Sequence, residues 1–103
     1  MPDLDPVIHQ PLRLRIMAAL AALGSGDRVD FSYLKDFLGT TDGNLGAHLL
    51  KLEEAGYITS EKTFEARKPR TFVHITHKGR GAFQDHVASL QSILKPPFER
   101  RKR

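Results

Sequence analysis

The chain contains no cysteine. That removes disulfides, thiolate metal ligands and thiol redox switches together. It also has no tryptophan, and aromatic residues make up only 8%. No apolar run approaches the roughly 20 residues needed to span a bilayer. The opening residues, MPDLDPVIHQP, lack the basic start and apolar stretch of a signal peptide. A cytoplasmic protein with no membrane association is the expectation. Nucleotide-binding and hydrolytic signatures are missing too: there is no GxGxxG, GKS/T, GxSxG or HExxH run. No two of the five histidines, at 9, 48, 74, 77 and 86, stand at the HxxxH spacing that puts paired ligands on one helical face. The sequence therefore predicts no enzyme, no catalytic residue, no metal site and no cofactor.

What is present is an uneven distribution of charge over 103 residues, a length suited to one domain with one core. Residues 1–61 hold five Lys/Arg against nine Asp/Glu. Residues 62–80 hold six against one, and residues 95–103 five against one. A slightly acidic body thus carries its positive charge in one short segment and a tail. Such asymmetry predicts a local anion-binding surface. A solvated basic loop with a disordered tail would have the same composition.

Apolar spacing gives the elements. Ile8, Leu12, Ile16, Leu20 and Leu23 recur at three- and four-residue steps, predicting a helix over 7–23. Pro11 must then lie near its start or kink it. Gly24-Ser25-Gly26 ends it. A very short strand over 29–31 precedes a helix to Leu38, with Ser32 as its N-cap and Leu34, Phe37 and Leu38 facing inward. Thr40 or Thr41 caps the next helix, which runs to Ala55 with Gly56 beyond it. Gly43 and Gly46 weaken that helix by about 1 kcal/mol each relative to Ala. Close packing between helices or close approach to DNA would explain them. Residues 57–63 and 70–75 alternate as strands around the loop Glu65-Ala66-Arg67-Lys68-Pro69. Thr76 caps a last helix to Leu94, stopped by Pro96-Pro97.

A helix, a tight turn, a second helix and a basic hairpin make a winged helix-turn-helix. The predicted fold class is α+β, mostly helical, with long N- and C-terminal helices. Residues 1–95 form the DNA-binding and dimerisation domain, and 96–103 a basic, disordered tail. On a helical wheel Leu45, Leu49 and Leu52 share the core side of the second helix. Thr41, Asp42, Gly43, Asn44 and Ala47 lie nearest the major groove, and Lys51 is placed for a phosphate. Asn44 has the geometry to read adenine or to stabilise the helix start. In the wing, Arg67, Lys68 and Arg70 supply cations around Pro69.

Three segments resemble the ArsR/MarR-like winged-helix transcriptional regulators, in particular the short subgroup with little beyond the DNA-binding domain. They are HQPLRLRIMAAL, LGTTDGNLGAHLLKLEEAGYI and ARKPRTFVHITHKGRGAF, together covering most of residues 9–83. The resemblance implies a cytoplasmic homodimer that binds double-stranded DNA at an operator and usually represses transcription. Leu50 departs from the pattern, since similar proteins often carry Arg or Lys there. Metal-sensing relatives often use cysteines, which this chain lacks.

The first and last helices carry more apolar surface than so small a core absorbs, which marks an interface. Ile8, Leu12, Phe83, Val87, Leu90 and Leu94 are the expected dimer contacts, in a two-fold arrangement that presents two reading helices to two half-sites. Two other functions fit the same pattern. One is a winged-helix module that binds protein. The other is a sensor whose effector, which the sequence does not name, sits between the terminal helices.

Overall fold

Pro11 has no N–H to lose at the first position of a helix. In the computed structural model, which describes residues 3–96 and 98, it takes that position. Gln10 is extended and its side chain accepts the Arg13 N–H at 2.8 Å, starting α1 (Pro11–Ala21). The predicted helix over 7–23 is therefore too long at both ends. Val7 and Ile8 instead sit in a turn held by Asp5, whose Oδ1 accepts their N–H groups at 2.8 and 3.3 Å.

β1 (Val29–Asp30) leads directly into α2 (Phe31–Leu38). The α2 cap is Asp30, whose Oδ1 accepts the Ser32 N–H at 2.9 Å, so Ser32 is capped rather than capping. Gly39 ends α2 in the left-handed conformation, with φ 67°. Thr41 caps α3 (Asp42–Glu54) through the Asn44 N–H. Gly56, at φ 81°, then reverses the chain. β2 (Ile58–Glu65) and β3 (Lys68–Ile75) pair antiparallel from Ile58↔Ile75 to Glu65↔Lys68. The hairpin is longer and its loop shorter than predicted, because only Ala66 and Arg67 remain unpaired at the tip. β1 pairs antiparallel with β3, giving the sheet order β1-β3-β2.

Thr76 caps α4 (His77–Leu94), as its sequence position predicts. Its Oγ1 also donates to the Gly56 carbonyl at 2.7 Å, docking the start of α4 on the end of α3. Gly79 is required there. A Cβ at this position would lie 2.0 Å from the Tyr57 carbonyl oxygen.

One cluster of buried side chains joins these elements. Ile8, Leu12, Ile16, Met17 and Leu20 meet Leu34 and Leu38 of α2, Leu45, Leu49 and Leu52 of α3, Ile58 and Val73. Phe37 is not among them; it is 64% exposed. The result is four helices and a three-stranded antiparallel sheet, the winged helix-turn-helix arrangement. No helix among the described residues is long and apolar enough to cross a membrane. The expected disordered tail lies, apart from Pro96 and Phe98, outside the described residues.

Candidate nucleic-acid interface

The core fixes which side of α3 faces out. Leu45, Leu49 and Leu52 are all buried, so at 100° per residue the line opposite them runs through Gly43, Ala47, Leu50 and Glu54. All four are exposed, as are Thr41, Asp42, Asn44 and Lys51. The six residues expected at the groove are thus all exposed, Gly43, Ala47, Asn44 and Lys51 on the side away from the core and Thr41 and Asp42 at the helix start.

Several of them are already engaged. Thr41 Oγ1 accepts the Asn44 N–H at 3.2 Å, and the Asn44 Nδ2 group donates to Thr40 Oγ1 at 2.9 Å. Both side chains therefore stabilise the helix start. Asp42 pairs with Lys35 at 3.1 Å, tying α3 to α2 and raising the ammonium pKa of Lys35. Lys51 stands 4.0 Å from Glu54. Neither glycine is explained by packing. A Cβ at Gly43 or Gly46 would meet no atom within 4 Å.

The wing has a committed base and a free tip. Arg70 pairs with Asp30 and lies 3.8 Å from Glu65. Its guanidinium, with the Ser32 N–H second, holds the Asp30 carboxyl below the usual carboxylate range. Arg28 pairs with Glu61 and covers the Phe72 ring, 3.9 Å from its centre. Arg80 donates to the Ala21 and Leu23 carbonyls at 2.9 and 3.3 Å, closing the end of α1. Arg70 and Arg80 are thus internal ties. Arg67, Lys68 and Lys62 are exposed, with no carboxylate within 4 Å among the described residues. Arg67 sits at the tip with φ 65°. The Arg70 and Arg28 pairings join residues 40 and 33 positions apart; no local pattern announces them.

An exposed helix face beside a projecting cationic hairpin offers a surface to an anionic polymer, and known proteins share this arrangement. The family model described as winged helix DNA-binding domain matches residues 12–94. The chain belongs to this family. This winged-helix protein is 36% identical over 89 residues to an uncharacterised protein of Methanocaldococcus jannaschii, covering 86% of this chain and 94% of that one. The solved transcriptional regulator homologue of Pyrococcus horikoshii superposes with TM-score 0.77 and 32% identity, over 85% of this chain and 84% of that one. FabT of Streptococcus pneumoniae, solved in complex with DNA, shares the fold at TM-score 0.57 and 22% identity, over 86% of this chain and 64% of its own.

The expected dimer contacts divide. Ile8 is fully buried and Leu12 nearly so within the chain's own core, which leaves them no surface for another copy. Phe83, Val87 and Leu90 are half-buried, while Ile93 and Leu94 are 49% and 78% exposed. His74 and His77 stand three apart, but on either side of the junction between β3 and α4. His86, which spacing alone did not distinguish, is 1% exposed. Its Nδ1 accepts the Asp5 N–H at 3.0 Å, and Asp5 Oδ2 accepts from the Tyr57 hydroxyl at 2.5 Å. That bond, together with burial, pushes the Tyr57 pKa up to about 12.

Proposed function

We propose that this winged-helix protein is a sequence-specific, duplex-DNA-binding transcriptional repressor that acts in the cytoplasm as a homodimer. The observation that carries the reading is the accessible α3 face, lined by Gly43, Ala47 and Leu50 and flanked by the free cations of the wing. Helix α3 enters the major groove while Arg67, Lys68 and Lys62 meet phosphates. The apolar end of α4, with Leu90, Ile93 and Leu94, packs against the same surface of a second copy. Residues 1–95 act as one DNA-binding and dimerising unit, followed by a basic tail.

Titration of duplex DNA against salt tests the reading. Three free wing cations per protomer give six in a dimer, and each phosphate neutralised contributes about −0.9 to the slope of log K against log salt. The expected slope is about −5. Binding that ignores salt would refute a wing contact with DNA.

A second reading has one observation behind it. A cleft of about 500 Å³ lies between the N-terminal segment and α4, lined by Asp5, Tyr57, Ala82 and His86. The buried His86 Nε2 has no hydrogen-bond partner among the described residues. A small effector seated there would make the repressor ligand-responsive.

A further inference from the structure

The face of α3 directed away from the core holds few free polar groups, and its one cation, Lys51, stands 4.0 Å from Glu54 toward the acidic end of the helix. Asp42 is paired with Lys35 and would repel phosphate. Thr41 is spent as the cap, and the Asn44 amide already donates to Thr40. Gly43 has no side chain. What remains on the outermost line, before the acidic end at Glu54, is the methyl of Ala47 and the isobutyl group of Leu50, the latter 54% exposed. They are one helical turn apart and within about 60° of each other on the wheel. A large apolar side chain at the centre of a DNA-facing surface would cost binding if it met only polar base edges. The major groove offers one apolar feature, the C5 methyl of thymine, and alanine-sized or larger apolar groups pack against it.

We propose that α3 reads its site through thymine methyl groups, with Leu50 and Ala47 as the side chains that touch them. The inference rests on the duplex-binding reading above and deepens it. The site is one rich in thymine at the positions facing the middle of α3. Base selection there comes from apolar contact, and Asn44 serves chiefly to hold the start of the helix.

The test uses a duplex selected by the full-length protein from a random-sequence pool, then resynthesised with deoxyuridine in place of thymidine. That change deletes the methyl group and keeps the base pair and the O4 acceptor. The parent protein should lose about fourfold in affinity for each methyl group it contacts. Leu50→Ala should bind the thymine and uracil duplexes with nearly equal affinity at the positions that Leu50 touches, and Ala47→Gly at its own. Thermal unfolding of both variants checks that the fold is intact. Equal binding of both duplexes by the parent overturns the proposal. A methyl effect that keeps its full size in each variant at the positions assigned to the replaced side chain also overturns it, because the effect then belongs to DNA shape. If the parent selects no duplex at all, the DNA-binding reading falls first and this one with it.

Discussion

Replacing Gly46 by alanine separates two explanations of a helix that carries glycine where it should not. Gly46 is the fifth residue of α3, inside the helix, where glycine is less favourable than alanine by about 1 kcal/mol. A Cβ there meets no atom within 4 Å, so no steric cost offsets the gain. Gly46→Ala should raise stability by about 1 kcal/mol, equivalent to about 4–8 °C in Tm for a domain of this size. Gly43 has the same open surroundings but lies at the second helical position, where the gain is smaller, and it stands on the line facing away from the core. If its bareness allows α3 to sit deep in the groove, an added methyl overpacks that contact by about 1–3 kcal/mol, or roughly 5- to 150-fold in affinity. Calorimetry and fluorescence anisotropy on the two variants read both quantities. A lower Tm for Gly46→Ala would refute the claim that packing does not require glycine. Unchanged duplex affinity for Gly43→Ala would refute close approach of the helix backbone to DNA.

In the wing, Arg67→Ala and Lys68→Ala should each make the salt slope shallower by about 0.9 per protomer. Arg70→Ala should change it less and lower Tm instead, since its guanidinium is tied to Asp30 and Glu65; equal slope changes at all three positions would contradict this division. Leu94→Asp, at a side chain 78% exposed, should leave the fold intact and convert a dimer to an 11.6 kDa monomer in sedimentation; an unchanged sedimentation pattern would remove this end of α4 from any interface. Burial, and then the nearby His9, hold the His86 pKa below its ordinary 6.5. The unfolded chain therefore takes up this proton more readily. The His86 contribution to stability is present above about pH 6.5 and is lost as pH falls through the folded-state pKa. Melting from about pH 8 to about pH 5 should show a shallower fall for His86→Gln than for the parent.

The order of helices and strands was legible because each is written in local spacing. The α3 leucines, the caps at Thr41 and Thr76 and the alternation of the hairpin all act within a few residues. Several misreadings share a cause, a distant partner that decided the outcome, whereas the cap given to Ser32 was lost to its near neighbour Asp30. Ile8 fits the period of α1, yet Asp5 holds it in a turn that His86 and Tyr57 anchor from far along the chain. Phe37 fits an inward position on α2, yet the core is filled without it. Arg70 looks like a free cation until β1 brings Asp30 beside it. Ile8 and Leu12 fit an interface by spacing and yet lie in the core, because apolar spacing does not distinguish a chain's own core from a neighbour's surface. The need for glycine at position 79 becomes visible only when the Tyr57 carbonyl arrives against it.

The two-residue tip of the wing has a consequence for engineering. Ala66 and Arg67 take φ values of 51° and 65°, the conformation that glycine and asparagine tolerate best and that costs other residues about 1–2 kcal/mol each. Asn-Gly is the usual choice for such a turn. Alanine at the first position contributes nothing that asparagine would not. Arginine at the second carries the outermost positive charge of the hairpin. The two strained residues are therefore unequal as targets. Strain at position 66 can be relieved without altering the charge of the wing, whereas at position 67 thermal tolerance and the tip cation are alternatives, and this chain has kept the cation.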